Sequence, residues 1–147
     1  MNAKSVQDLA RKLKNFGGIF NVDQLANVKI ISYPVALIVN DENHWIAIYI
    51  SDNVVEVCDS SGYLKNDNLD LSLRKLLKLH FYNKDFFATP RLQSDDSQNC
   101  ALYCLSYLYI RLMLDKSLCD FTSLFTTDTN VNCSIISDIF REIKPLL

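Results

Sequence analysis

The apolar run at residues 100–114, CALYCLSYLYIRLML, constrains the fold of this chain more than any other stretch. It is long enough for about four helical turns. Ser106 and Arg111 are its only polar residues, so the predicted helix has no side suited to water. Such a helix needs other elements to cover it. The sequence therefore predicts a central, buried helix.

The predicted helix begins at a cysteine. Residues 93–99, QSDDSQN, are polar and turn-forming, and they lead directly to Cys100. The free N–H groups and the dipole of a helix N-terminus favour an anion, so a thiol at that position loses its proton more easily. Because the thiolate is the nucleophilic form of cysteine, Cys100 is a candidate nucleophile.

The sequence on either side predicts an α+β fold. A first amphipathic helix is expected from Val6, with Ser5 and Asp8 as a capping box and the glycines at positions 17 and 18 at its end. The other predicted elements are strands at residues 28–31 and 35–39, a turn at 40–43, a hairpin of strands 44–50 and 54–58, a turn at 59–62, a helix after the turn at 66–68, a strand at 86–89, a short helical turn at 120–125 and a last amphipathic helix that ends at Pro145. The strands lie mostly in the first half, which favours a mostly antiparallel sheet packed against the central helix.

Length and composition exclude several classes of protein. The 147 residues, 49% of them hydrophobic, fit one domain over residues 1–147 with a substantial core. The net charge is -2 and like charges do not cluster, so we expect nucleic-acid contact to be weak or absent. The N-terminus lacks the apolar core of a signal peptide, and no apolar run reaches membrane-spanning length. We therefore expect an intracellular protein without membrane contact.

The cysteines favour neither a disulfide framework nor a metal site. They are odd in number, five, and none forms a C-x-x-C pair, which is typical of a reducing compartment. Cys100 and Cys104 are the only closely spaced sulfur pair, and nothing in the sequence completes a tetrahedral ligand set around them. We therefore expect no metal and no organic cofactor.

The predicted hairpin places a histidine and an acid at the same end of neighbouring strands. With the turn centred on Asp52, His44 lies opposite position 59, 60 or 61. In the closest of these registers the imidazole could hydrogen-bond directly with Asp59, which fixes the tautomer of a histidine and stabilises its protonated form. A slip of one residue would turn the two side chains to opposite faces.

Taken singly, each candidate has an ordinary structural explanation. An intracellular cysteine in an apolar context is usually an inert core residue. His44 alone fits a polar position on an edge strand, Asp59 fits a turn, and Gln93 fits a solvated loop. Only the combination of these residues favours chemistry over packing.

Their order and context resemble the adenovirus protease family, the adenains, and more distantly the SUMO-specific proteases of the same clan. A His-Trp pair at the head of a strand supplies His44, Asp59 follows the next strand, and Gln93 lies seven residues before Cys100. The likeness begins at the F-x-V-D-like stretch of residues 20–23. The seven-residue interval and the Cys-x-x-x-Cys motif are similar to adenain, whereas the SUMO proteases typically use an interval of six and an Asp-Cys-Gly sequence.

The resemblance implies a papain-like, adenain-type fold and a role for each of the four residues. Cys100 would be the nucleophile, and His44 its general base and then general acid. Asp59 would orient the imidazole. Gln93 would donate its amide N–H to the developing oxyanion beside the backbone N–H of Cys100.

Three departures from the family are visible. Ala101 replaces the glycine that usually follows the nucleophile, so the approach of the backbone there can differ. The chain is also shorter than adenain. No cysteine lies between Cys58 and Cys100, so we do not expect a disulfide-tethered activator peptide at that place.

The resemblance implies a viral cysteine endopeptidase that cleaves precursor proteins at glycine-containing sites in an extended polypeptide. Two alternatives stay open, a protease of ubiquitin-like or SUMO-like proteins and a non-enzymatic interaction module that retains the fold. We expect a monomer, and the sequence leaves open an activating peptide or nucleic acid. The expected location is a reducing compartment, the nucleus or cytoplasm of a host cell or the virion.

Overall fold

The computed structural model of the chain describes residues 1–25, 27–30, 32–41, 44–62, 71–95 and 97–147. In these residues one sheet is formed by the strands β1 (Phe16–Asn21), β2 (Val35–Asp41), β3 (His44–Ile50), β4 (Val54–Cys58) and β5 (Asp85–Ala88), side by side in chain order. The three inner strands pair antiparallel, while β1 and β5 run parallel to their neighbours. The sheet is therefore mixed where the sequence predicted a mostly antiparallel one, because the chain reaches β2 and β5 through crossovers that contain a helix.

The helices lie on both faces of this sheet. In the described residues they are α1 (Ala3–Ala10), α2 (Val22–Leu25), α3 (Leu71–His80), α4 (Cys100–Met113), α5 (Leu118–Thr122) and α6 (Thr129–Ile143), followed by a 3-10 turn at Lys144–Leu146. Alternate residues of β2 pack in the apolar cores on opposite faces of the sheet. Ala36 and Ile38 pack with α4, whereas Leu37 and Val39 pack on the side of α3. The α+β class and the buried central helix, α4, are confirmed.

The first helix differs from its prediction at both ends. Asn2 caps α1, since its Oδ1 accepts the N–H of Ser5 at 2.9 Å, so the predicted capping box at Ser5 is wrong. Gly17 and Gly18 belong to β1 and do not end the helix. A Cβ at Gly17 would lie 2.8 Å from the side chain of Leu37, so glycine permits β1 to approach β2 closely.

The predicted strand at residues 28–31 is also wrong. Residues 28–30 form no strand, and residue 31 lies outside the described part of the chain. Val28 and Ile30 instead pack against the apolar core on the α3 side, so their side chains are used for burial without sheet pairing. Asn40 and Asp41, predicted in a turn, extend β2 because Asp41 pairs with the first residue of β3. Residues 42 and 43, and the predicted turn at 66–68, lie outside the described residues.

The predicted hairpin, the strand before Pro90 and the last amphipathic helix are confirmed as β3–β4, β5 and α6. The short helical turn expected near residue 120 is present as α5. Among the helices described, none has the length and apolar character that crossing a bilayer requires.

Candidate active site

His44 and Asp59 meet at one end of the β3–β4 pair. Ala47 lies opposite Cys58, and continuing that register would put position 61 across from His44, at one end of the predicted range. Asp59 is then a diagonal neighbour of His44 on the same face, and the chain leaves the ladder there. His44 Nε2 lies 2.6 Å from Asp59 Oδ1, so the direct hydrogen bond forms in this register too.

Asp59 is held by a tight turn and by Thr89, the residue that follows β5. The N–H of Ser61 donates to Asp59 Oδ1 at 3.2 Å, and the N–H of Gly62 donates to the Asp59 carbonyl at 2.9 Å. The hydroxyl of Thr89 accepts the Asp59 N–H at 2.8 Å and lies 2.6 Å from the Asp59 carbonyl oxygen. Asp59 is 1% exposed, so its position is set by protein contacts.

Cys100 is the first residue of α4, and its side chain is hydrogen-bonded to His44. Burial raises the pKa of the Cys100 thiol, but the hydrogen bond and charge of His44 and the backbone N–H groups of Trp45 and Ala101 outweigh burial and lower it. The side chain of Asn99 does not cap α4 but donates to Cys133 Sγ at 3.2 Å. The first N–H groups of the helix are therefore not taken by a capping side chain.

The charges around His44 favour its protonated form. Burial lowers the pKa of His44, but the hydrogen bonds and charges of Asp59 and Cys100 outweigh it and raise the pKa to about 9. Because Nε2 is bonded to Asp59, Nδ1 is the ring nitrogen available to the thiol. Cys58 and Cys104 differ from Cys100, since burial raises the pKa of both thiols well above the ordinary value.

Gln93 lies beside the turn that carries Asp59. Its side chain is 5% exposed, and its Oε1 accepts the hydroxyl of Ser60 at 2.7 Å. The Nε2 amide group is 3.4 Å from the carbonyl oxygen of Ser97, in the loop that precedes Cys100. Gln98, the other glutamine of this loop, is exposed.

Three further buried polar side chains support the site, and none of them stands out as functional in the sequence. Ser60 and Thr89 contact Gln93 and Asp59 as described above. Asn132 of α6 donates to the carbonyl oxygen of Leu92 at 3.0 Å, directly before Gln93. A polar residue in a turn, at a strand end or on an amphipathic helix usually faces water, so the sequence contains no signal that these three are buried.

The structure thus brings His44, Asp59 and Cys100 into one hydrogen-bonded chain and places Gln93 against the adjoining turn. These are the residue types that acyl transfer by a thiolate uses: a nucleophile, a proton carrier, an orienting acid and an amide donor. Among the described residues, no three or more His, Cys, Asp or Glu side chains are grouped so that they could hold a metal ion.

No family model matches this chain, and no curated protein does. Among solved structures, it is similar to the central domain of an uncharacterised protein from Legionella pneumophila, with a TM-score of 0.54, 14% identity and 97% of each chain covered. That likeness shows a shared fold. A more distant match is a de-sumoylating protease, with a TM-score of 0.42 and 12% identity, covering 85% of this chain and 61% of that one.

Proposed function

We propose that this chain is a cysteine peptidase whose nucleophile is Cys100. The observation that supports this most directly is the hydrogen-bonded chain from the Cys100 thiol through His44 to Asp59. A lowered thiol pKa next to a His44 pKa of about 9 favours a thiolate–imidazolium pair at neutral pH. A thiolate attacks a carbonyl carbon without first transferring a proton.

The proposed reaction has two halves. The Cys100 sulfur forms a bond to the carbonyl carbon of the scissile peptide, and the carbonyl oxygen becomes negative. The charged imidazole of His44 then gives its proton to the leaving amine as the C–N bond breaks, which leaves a thioester. Neutral His44 next takes a proton from a water molecule whose oxygen attacks the thioester, and this step releases the acid product and restores the thiolate–imidazolium pair. Asp59 orients the imidazole in both halves and stabilises it when it is charged.

Gln93 and the start of α4 are the proposed donors to the oxyanion. The buried amide of Gln93 directs Nε2 toward the loop that leads to Cys100. The backbone N–H of Cys100 is the second proposed donor, at the positive end of the helix dipole. Removing one oxyanion donor typically lowers kcat by about 10² to 10³.

The proposed substrate is an extended polypeptide with glycine near the scissile bond. This part of the proposal rests on the resemblance to adenain, as does the assignment to the processing of viral precursor proteins. The seven-residue interval from Gln93 to Cys100 favours this assignment over deconjugation of a ubiquitin-like protein.

A comparison of the two glutamines tests the proposal. Fluorogenic peptides with glycine at the two positions before the scissile bond serve as substrates, and C-terminal fluorogenic derivatives of SUMO and ubiquitin serve as the rival ones. Gln93→Ala should lower kcat by about 10² or more with little change in KM, because an oxyanion donor acts mainly in the transition state. Gln98→Ala is the matched control and should cost much less, since Gln98 is exposed.

The outcomes separate the alternatives. Turnover of the SUMO or ubiquitin derivative alone would show a deconjugating protease instead of a precursor-processing one. Absence of turnover on every substrate, together with no reaction of Cys100 with a peptide-based thiol-reactive probe, would leave an interaction module that retains the fold. A larger loss in Gln98→Ala than in Gln93→Ala would show that the oxyanion site is assigned wrongly.

A further inference from the structure

Ser60 contacts Gln93 through both its backbone and its side chain. The carbonyl oxygen of Ser60 accepts the N–H of Gln93 at 3.0 Å and that of Leu92 at 2.8 Å. The hydroxyl of Ser60 lies 2.7 Å from Gln93 Oε1. Ser60 is 1% exposed and directly follows Asp59. One turn therefore contains Asp59, the partner of His44, and also contacts Gln93, the proposed oxyanion donor.

The contacts of Gln93 determine which way its amide faces. A carbonyl oxygen can only accept a hydrogen bond, and the carbonyl oxygen of Ser97 lies on one side of the amide, 3.4 Å from Nε2. The NH₂ group must therefore face the loop before Cys100, and Oε1 must face Ser60. Because Oε1 can only accept, the Ser60 hydroxyl is the donor in this pair.

We propose that Ser60 is a positioning residue for the oxyanion donor: its hydroxyl holds Gln93 Oε1 so that the Nε2 hydrogens stay directed toward the start of α4. This inference rests on the proposed peptidase function. The contact with Ser97 is long, and a hydrogen bond of that length orients an amide weakly. Without the Ser60 donor the amide can rotate, and an amide oxygen then repels the oxyanion that the NH₂ group would stabilise.

The consequence for catalysis is specific to the oxyanion. Ser60 contacts neither of the two side chains that share the proton, His44 and Cys100, in any hydrogen bond that the structure describes. A donor to Oε1 also polarises the amide N–H, since hydrogen bonds in a chain strengthen one another. Loss of the Ser60 hydroxyl should therefore weaken oxyanion stabilisation and leave the reactivity of the thiolate intact.

The test compares Ser60→Ala with Ser106→Ala. Ser106 is an equally buried serine on α4, and its hydroxyl has no hydrogen-bond partner in the described part of the chain. We expect Ser60→Ala to lower kcat about tenfold, less than direct removal of a donor, with KM nearly unchanged. The inhibition constant of a peptide aldehyde, which forms an oxyanion on Cys100, should rise by a similar factor. The rate of alkylation by iodoacetamide should not change, because that displacement forms no oxyanion.

A double-mutant cycle separates this role from a general loss of structure. Once Gln93 is alanine, Ser60→Ala should cause almost no further loss of kcat, since both changes remove the same interaction. Ser60→Cys provides a second variant of similar size with a weak donor, and its kcat should fall between those of the wild type and Ser60→Ala. Both variants should keep the melting temperature within a few degrees of the wild type.

Several results would overturn the inference. An unchanged kcat in Ser60→Ala would do so, as would an equal fall in the alkylation rate, or a full additional loss when Gln93 is already alanine. These results differ from failure of the proposed function. A wild-type protein that neither cleaves peptides nor binds the aldehyde overturns the function and the inference together.

Discussion

Replacing Asp59 by asparagine isolates the charge of the acid from its geometry. Asparagine has nearly the same size, and its Oδ1 can still accept from His44 Nε2 and from the N–H of Ser61, both of which contact Asp59 Oδ1. The carboxylate lies 2.6 Å from the imidazole and is almost fully buried, so water screens the pair weakly. The substitution therefore removes a close negative charge and keeps an acceptor for these two donors.

The size of the effect follows from the pKa of His44. Burial alone lowers this pKa, yet it stands at about 9, so the imidazole is charged below about pH 9 and neutral above it. Removing an opposite charge at this distance typically lowers such a pKa by about 1 to 3, which places the variant at about 6 to 8. Each step of one in pKa corresponds to about 1.4 kcal/mol of lost stabilisation of the imidazolium.

Carboxymethylation by iodoacetate reports this change without a substrate. The reagent is an anion, so its reaction with the Cys100 thiolate is fastest while His44 carries a positive charge. In the wild type we expect the rate to decline above about pH 9, and in Asp59→Asn above about pH 6 to 8. The rate is followed by mass spectrometry of the peptide that contains Cys100. Asp85→Asn, an exposed aspartate at the start of β5, is the matched control.

Neutral iodoacetamide distinguishes charge from access to the thiol. Its rate depends on the thiolate and responds little to the charge of the imidazole, so it should not reproduce the alkaline decline seen with iodoacetate. If Asp59→Asn keeps its alkaline decline near that of the wild type, the carboxylate does not maintain the His44 pKa, and the role assigned to Asp59 is refuted.

Three further predictions concern the thiols and the supporting contacts. Brief treatment with iodoacetamide at neutral pH should modify Cys100 and spare Cys58 and Cys104, which are buried with raised pKa values; equal modification of all three in the folded protein would contradict the site. Asn132→Ala removes a donor to two carbonyl oxygens, those of Leu92 and Thr126, and should lower the free energy of unfolding in urea by about 1 to 3 kcal/mol for each carbonyl left without a partner. A loss below about 0.5 kcal/mol would show that these two hydrogen bonds contribute little. Thr89→Val should lower kcat/KM about tenfold or more by releasing the Asp59 backbone, whereas Thr89→Ser keeps the hydroxyl and most of the activity; equal losses would assign the effect to packing.

The failed predictions share one cause. The glycines at positions 17 and 18 have the composition of a helix end, but both belong to β1, and Gly17 lets this strand approach the side chain of Leu37. The β-branched run at residues 28–31 has the composition of a strand, but Val28 and Ile30 cover one face of the sheet instead of joining it. Local composition indicates that a residue is buried or that a turn is permitted. It does not indicate which distant element the residue packs against.

Where the prediction holds, the reason is also local. A helix with almost no polar side requires cover, so the sequence alone determined that α4 is central and that Cys100 lies at its start. A strand pair joined by a short turn has few possible registers. The sequence therefore predicted that His44 lies opposite position 59, 60 or 61, and the observed register is one of these three. The order of the four candidate residues in the chain suggested a role for each by resemblance, and these roles stay predictions.

Only the tertiary structure decided how those residues are supported. The register of β3 and β4 makes Asp59 a diagonal neighbour of His44. The contact of the Ser60 hydroxyl with an amide 33 positions away, and of the Asn132 amide with a carbonyl 40 positions away, depends on where the segment after β5 and the helix α6 lie. Such polar groups are stabilised by particular partners that are close in space. Their positions follow no repeating pattern along the chain. A hydrophobic pattern reports which side of an element is buried, so it carries no information about which buried donor meets which acceptor.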